Sequence, residues 1–366
     1  MIECKLCLMH TNIKEVQLSG DGICNYCLDF EKKISLYTFT PEEEKNNIIQ
    51  FKNSLKKRRN NSEYDGIIGL SGGADSSYLA YLAKELNLNI LLVHMDNGWN
   101  SDTSIRNIKS IIDNTGFDYE SVVLDWQEFK DLQRSFLKAG VIDIELITDH
   151  AITGSLVKLA KKYNIGSLIN GYNFRTEHAM PKSWSWYKTD LLNIKSIHKK
   201  FGSIKIKNYP YIPFIDSVMI HFGIGKLKLF RPLNLINYSR SKIINILETQ
   251  YNWIDYGGKH HESFFTKFYQ GYILPKKFKV NKEISHLSCL IRNSEITKNQ
   301  AKEIISKPIF FNNEIEIAKN YVIKKLDIDP DNFKKIMEDK PRNHNEFSSQ
   351  EKLYDLIYKL KNFYKK

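Results

Sequence analysis

Ser71-Gly72-Gly73-Ala74-Asp75-Ser76-Ser77 lies between a short apolar run, Gly66 to Leu70, and an amphipathic run, Tyr78 to Leu86. The string therefore reads as the turn from a buried strand into a helix. Such a turn suits phosphate. Adjacent glycines let backbone approach a phosphate without a Cβ in the way, the serines add hydroxyl donors, and the free N–H groups of the helix start supply the positive end of a dipole. Asp75 does not fit that description by itself, because a carboxylate beside phosphate is repelled unless a divalent cation lies between them. Mg²⁺ is the expected cation. No G-x-x-x-x-G-K-[ST] string occurs, so kinase-like or GTPase-like chemistry has no support.

Outward from this turn the chain alternates strand and helix. The patterning predicts strands over 66–70, 90–94, 121–124 and 167–170, and helices near 76–86, 103–114, 126–138 and 150–163. Apolar strands separated by helices of this length predict a parallel α/β sheet covered on both faces. Ligands on such sheets bind at the carboxyl ends of the strands. That rule gathers the 71–77 turn, Asp96-Asn97-Gly98-Trp99, Asp125-Trp126 and Gly171 to Glu177 around one cleft. The Asp96 turn offers polar groups to an adenine edge, or is an ordinary turn. Asp149 is the expected cap of the fourth helix. Gly171 would let a ligand approach, and Glu177 is a candidate second Mg²⁺ ligand beside Asp75.

Before the sheet, Cys4-x-x-Cys7 and Cys24-x-x-Cys27 stand sixteen residues apart. Two such knuckles complete a tetrahedral Cys₄ zinc site, closed and hence structural, and disulfides are the competing use of the same thiols. Thr40-Pro41-Glu42-Glu43 starts a connector helix that runs to Lys56-Lys57-Arg58-Arg59. After the sheet, Gly257 to Phe278 is a second dense polar stretch. Its Lys259, His260 and His261 are candidates for meeting phosphate or moving a proton. Cys289 reads as a buried small hydrophobe. The last 70 or so residues read as a small helical domain.

The net charge of +12 is unevenly placed. Residues 182–280 hold 17 Lys and Arg against 5 Asp and Glu, which accounts for all of it. With Trp184, Trp186, Tyr187, Tyr209, Tyr211 and Phe214 interleaved, this segment expects an anionic partner such as RNA, a nucleotide-linked sugar or an acidic sugar, or is a solvated face. The longest apolar candidate, Tyr209 to Gly225, is broken by Pro210, Pro213, Asp216 and His221, so no membrane span is expected. No signal pattern opens the chain, and a cytoplasmic location is expected.

The 71–77 string resembles the signature of the PP-loop ATP pyrophosphatases. That resemblance implies that the loop holds the pyrophosphate of ATP while a substrate oxygen attacks the α-phosphate. The ordered set of Cys24-Asn25-Tyr26-Cys27, the 71–77 loop, Asp96–Trp99, Thr148–Ser155, Asn173–Glu177, Gly257–Phe278 and His286–Arg292 resembles the bacterial N-acetyl sugar amidotransferases over about residues 4 to 340. Those enzymes are taken to turn a sugar acetamido group into an acetamidino group for surface polysaccharide or flagellin glycans. NAD synthetases carry a Gly-x-x-Asn-x-Thr-Glu run similar to Gly171–Glu177, with different spacing.

The resemblance implies that Ser71, Gly72, Gly73, Ser76 and Ser77, with Asp96 and Gly171, bind ATP, and that Asp75 and Glu177 hold Mg²⁺. Lys259 would neutralise the α-phosphate, and His260 or His261 would take a proton from ammonia. It divides the chain into a zinc ribbon (1–40), a connector helix (41–62), the ATP pyrophosphatase domain (63–250) and a substrate-facing segment with a helical end (251–366). No N-terminal nucleophilic Cys and no G-x-C-x-G elbow occurs, so a separate glutaminase and a channelling subunit are the implied ammonia source. A tRNA-modifying PP-loop enzyme of the thiolating or lysidine synthetase type is the alternative, and a non-catalytic nucleotide-binding adaptor a third.

Overall fold

The computed structural model describes residues 1–363 except 60, 259, 260 and 312. At the N-terminus, antiparallel bridges pair Glu3 with His10 and Leu18 with Cys24, folding the two cysteine knuckles onto each other ahead of helix α1 (Asn25–Lys33). Helix α2 (Pro41–Arg58) opens on the expected box. The Thr40 hydroxyl accepts from Glu43 N, the Glu43 carboxylate accepts from Thr40 N, and Pro41 begins the helix.

The sheet follows as β1 (Gly66–Gly69), α3 (Ala74–Glu85), β2 (Ile90–Asp96), α4 (Asp102–Thr115), β3 (Tyr119–Val123), α5 (Trp126–Ala139), α6 (Leu146–Lys162) and β4 (Ser167–Ile169). After the one-turn α7 (Phe174–Glu177), α8 (Leu191–Phe201) and α9 (Phe214–Phe222), a fifth strand, β5 (Lys228–Phe230), joins the edge. All neighbours are parallel, in the order β3-β2-β1-β4-β5. β5 is absent from the expected pattern because three residues at a sheet edge carry too little alternation to announce a strand. Helix α6 starts four residues earlier than expected. Asp149 is therefore not its cap: Glu145 holds the N-cap position, and Asp149 sits one turn in, paired with Lys188 at 2.9 Å.

Each face of the sheet carries its own core. Ile68, Leu70, Ile90 and Leu92 pack under α3 and α4 and under α10 (Arg240–Tyr251), while Ile67, Leu91, Val93 and Leu168 pack under α6. This is what strands buried on both faces require. The chain then forms α11 (Phe264–Phe268), which runs into a ten-residue π-helical stretch, Tyr269–Phe278. Pro275 within it has no N–H to give an ordinary helical ladder.

Helices α12 (Glu283–Arg292), α13 (Lys298–Ser306), α14 (Glu314–Leu326), α15 (Pro330–Glu338) and α16 (Glu351–Phe363) complete the chain. Their apolar faces do not make a private core. Tyr269, Leu274, Val322, Leu326 and Phe333 share one cluster with Trp99 and Phe136 of the sheet layer and with the N-terminal cysteines. No helix among the described residues is long and apolar enough to cross a membrane.

Candidate active site

The order β3-β2-β1-β4-β5 reverses direction between β1 and β4, and the carboxyl ends of those two strands border the crevice where open α/β sheets bind ligands. The 71–77 turn leaves β1 there and the 171–177 turn leaves β4. The two touch: a Cβ on Gly171 would come within 3.1 Å of Asp75 Cβ.

Within the loop, the carbonyls are already engaged. Ser104 Oγ donates to Ser71 O (3.0 Å), Trp253 Nε1 to Gly72 O (2.9 Å) and Ser76 Oγ to Gly73 O (3.1 Å). Asn107 Nδ2 also reaches Gly72 O and ties it to Ile254 O. The Ser71 and Gly73 amides are held by the Ser76 and Ser71 hydroxyls, so the loop's carbonyls and these amides are engaged and the start of α3 is what remains to face a phosphate. Gly73 caps α3 with no side chain occupying the cap, and the Ser77 hydroxyl is buried with no partner, an unspent donor aimed at the same turn. Gly72 lies at φ +79°, and a Cβ there would meet Ser104 O at 2.6 Å. Gly72→Ala is expected to cost about 2 kcal/mol or more, from left-handed backbone plus overpacking, read by urea unfolding.

Asp75 lies in the first turn of α3, and Tyr238 donates a short hydrogen bond to its Oδ1. Burial, then the neighbouring Asp75 carboxylate, holds the Tyr238 phenol well above its ordinary range, so it stays a donor. The Glu177 carboxylate adds to the shift in the same direction. Glu177 is set by α7, which Asn173 caps by accepting from Thr176 N at 2.9 Å. Arg175 faces away, donating to Asn293 Oδ1, Tyr37 O and Thr38 Oγ1.

Asp96 ends β2, and its Oδ1 accepts from Gly98 N (2.7 Å) and Asn100 Nδ2 (3.0 Å). That fixes the turn. Trp99 is a core residue, 1 % exposed, with its Nε1 on Gln133. The opposite wall includes Trp253, Tyr256 and Glu262. A Cβ on Gly73 would lie 3.0 Å from Tyr256 Oη and 3.4 Å from Glu262 Oε1, and Ser101 N donates to Glu262 O. His261 folds back on Gly258, where a Cβ would be 2.3 Å from its Nδ1. Lys259 and His260 lie outside the described residues. Tyr238, Tyr256, Trp253, Asn107 and Glu262 reach the loop from up to 189 positions away in the chain. Only Glu262 stood inside a stretch the sequence marked as dense in polar groups.

The four N-terminal cysteines converge as expected. Their sulfurs lie within 4.8 Å of one another and all four are buried, with Cys4–Cys27 at 3.9 Å and Cys7–Cys24 at 3.6 Å. A tetrahedron with Zn–S bonds of about 2.3 Å has S···S edges of roughly 3.8 Å, so the thiols fit zinc and are too far apart for disulfides. Cys289 is buried, but not alone. Arg292 spans from Cys289 Sγ (3.4 Å) to Cys7 Sγ (3.5 Å) and Cys27 Sγ (3.8 Å). Helix α12, which carries both, packs on α7 and hence on the turn bearing Glu177.

Basic residues of 182–280 divide between uses. Lys188 is paired with Asp143 and Asp149, and Lys277 donates to the carbonyls of Ile336 and Asp339. Lys195, Lys199, Lys205 and Lys207 line a groove beside α8 instead.

Residues 262–361 match the family described as "LPS biosynthesis protein WbpG-like, C-terminal domain", and residues 47–141 match "NAD synthase". No curated protein matches the chain. Among solved structures, NMN synthetase from Francisella tularensis is 15% identical, with a TM-score of 0.32 over 62% of this chain and 96% of its own. NH3-dependent NAD synthetase from Campylobacter jejuni subsp. jejuni NCTC 11168, in complex with the nitrate ion, is 14% identical, with a TM-score of 0.35 over 74% of this chain and 99% of its own. A predicted subunit of tRNA methyltransferase from Methanocaldococcus jannaschii DSM is 16% identical, with a TM-score of 0.28 over 50% and 73%.

Proposed function

We propose that this chain, a PP-loop α/β protein joined to a WbpG-like LPS biosynthesis C-terminal domain, is an ATP-dependent amidotransferase acting on an N-acetylated sugar. The observation that carries the reading is the loop itself: engaged carbonyls, a buried free hydroxyl at Ser77, and Asp75 in the first turn of the helix the loop opens.

An amide carbonyl is a poor electrophile, and transferring AMP to its oxygen supplies a good leaving group. The acetamido oxygen attacks the α-phosphorus of ATP, the P–O bond to pyrophosphate breaks, and an O-adenylyl imidate forms. Ammonia adds to its carbon, the C–O bond to AMP breaks, and one proton leaves the new nitrogen. Ser71, Gly72, Gly73, Ser76 and Ser77 hold the departing pyrophosphate, with Asp96 and Gly171 at the nucleotide's edge. Asp75 and Glu177 are the residues suited to Mg²⁺, which supplies charge neutralisation at the phosphates. Lys259 is proposed to neutralise the α-phosphate, and one of His260 and His261 to take a proton from the attacking ammonia. Zinc in the Cys4, Cys7, Cys24, Cys27 set is structural. The ammonia source is a separate glutaminase, with a channelling subunit between the two, and the product serves surface polysaccharide or flagellin glycans in the cytoplasm.

The test is pyrophosphate release from ATP with Mg²⁺ and ammonia, comparing UDP- and CMP-linked N-acetyl sugars with bulk tRNA. A sugar is expected to stimulate release, with AMP formed and a product about one mass unit lighter as O is replaced by NH. Stimulation by tRNA alone would overturn the reading in favour of a tRNA-modifying enzyme.

A further inference from the structure

A second group of charged side chains lies over the carboxyl ends of the strands, apart from the ATP loop. Helix α6 runs antiparallel to β4, so its N-terminus opens on the crevice side. Glu145 holds that N-cap position, yet its carboxylate makes no cap hydrogen bond. Its Oε2 accepts from Thr266 Oγ1 at 3.0 Å, while Oε1 is buried without a partner. Thr266 is on α11, four residues after Glu262, which stands against Gly73 of the loop. Asp149 and Lys188 in the same group keep 43 % and 36 % of their side chains exposed, so the group opens on solvent rather than sitting in packed core.

The charges facing Glu145 come from its own helix, from the segment before it and from the starts of two other helices. Asp149 is one turn along α6. Lys188, ahead of α8, lies 2.7 Å from Asp143 and 2.9 Å from Asp149. Lys282, at the start of α12, is 9 % exposed, lies over the Tyr269 ring at 5.3 Å, and has no hydrogen bond or ion pair among the described residues. Its ammonium therefore keeps its three donors for a ligand. Two lysines balance Asp143 and Asp149, which leaves Glu145 as the member whose charge is optional. Burial, with Asp149 adding to it, raises its carboxyl to about 7.

We propose that Glu145 is the proton acceptor for the incoming nitrogen nucleophile, with Thr266 fixing its carboxylate and Lys282 presented to the polar groups of the acceptor sugar. This rests on the amidotransferase reading. In the second half-reaction the N–C bond forms, the C–O bond to AMP breaks, and the proton released from the new nitrogen passes to Glu145 Oε1. Thr266 touches the carboxylate rather than the substrate and is a positioning residue. The adjacent histidines of 260–261 are then not needed as the base.

The half-reactions separate the claims. In Glu145→Gln, ammonia-dependent formation of the acetamidino product is expected to fall about 100-fold, while sugar-dependent exchange of labelled pyrophosphate into ATP changes less than about threefold. In the wild type, amination should rise with pH through about 7 as the carboxyl ionises, and this limb should vanish in E145Q. Glu145→Asp should restore part of the amination and the limb. Wild-type amination in E145Q, or parallel loss of exchange and amination in both variants, overturns the assignment. If no sugar supports exchange in the wild-type protein, the amidotransferase reading is what fails. The residue is then judged by infrared difference titration: a carboxyl ionising near neutral pH in the wild type and missing from E145Q is expected, and its absence overturns the proposal.

Discussion

Asp75→Asn lowers sugar-dependent pyrophosphate release by about 10³-fold and leaves the protein folded. The magnitude is that of removing a group aimed at charge that develops in the transition state. The substitution separates roles because the amide keeps the shape of the carboxylate and still offers an oxygen to the Tyr238 hydroxyl, which donates to Oδ1. What the amide cannot do is lend a full negative charge to a divalent cation between itself and the phosphates. The melting temperature should therefore move by no more than a few degrees, and Mn²⁺ in place of Mg²⁺ should shift the residual rate. Tyr238→Phe supplies the contrast. It leaves Asp75 charged and removes this one hydrogen bond, and should cost about tenfold, mainly in the apparent affinity for Mg²⁺. An Asp75→Asn protein with wild-type pyrophosphate release would remove the cation from this turn and, with it, the reason for a carboxylate there.

The legible parts of this molecule are those whose physics is local. A strand-to-helix turn with paired glycines is set within seven residues, so the turn at 71–77 declared itself. The cysteine pairs did so for the same reason, since two thiolates reach one metal only from a tight turn. Strands β1, β2 and β4 showed as apolar runs because they are buried on both faces, and the Thr40–Glu43 box fixed the start of α2 to the residue. Features assembled across the chain left no such mark. Nothing near Trp253 or Tyr238 says that one will hold Gly72 O and the other Asp75. Asp149 read as a cap because the capping rule is local, whereas its use is a tertiary pairing with Lys188. β5 escaped because an edge strand of three residues, Lys228-Leu229-Phe230, has almost no pattern to show. The basic stretch 182–280 was visible as charge, but its division into buried pairs and an open groove depends on which acids the fold brings near it.

Chelating the metal of the Cys₄ site should unfold more than the ribbon. The four thiols are buried in the same cluster as Trp99, Phe136 and the C-terminal helices, so the ribbon is one end of the main core. Arg292 makes the connection specific: its guanidinium donates to Cys7 and Cys27 on one side and to Cys289 on the other, and it ends the helix that packs on α7 and so on Glu177. With zinc bound, two of four thiolates answer that guanidinium. Without it, four crowded sulfurs must take up protons or separate, and Arg292 loses its acceptors in a half-buried setting. A loss on the order of 5 kcal/mol, below the 10 or more that a free zinc finger owes to its metal because packing here contributes too, corresponds to a fall of about 10 °C in melting temperature. Metal analysis should return one zinc per chain in the wild type and in Cys289→Ser, and little in Cys24→Ser. Pyrophosphate release should decline together with zinc content, since α12 and α7 carry the disturbance to the crevice. A metal-free protein that melts and turns over like the native one would mean that the four cysteines act only as small buried hydrophobes, and that the thiol distances reflect packing rather than a bound ion.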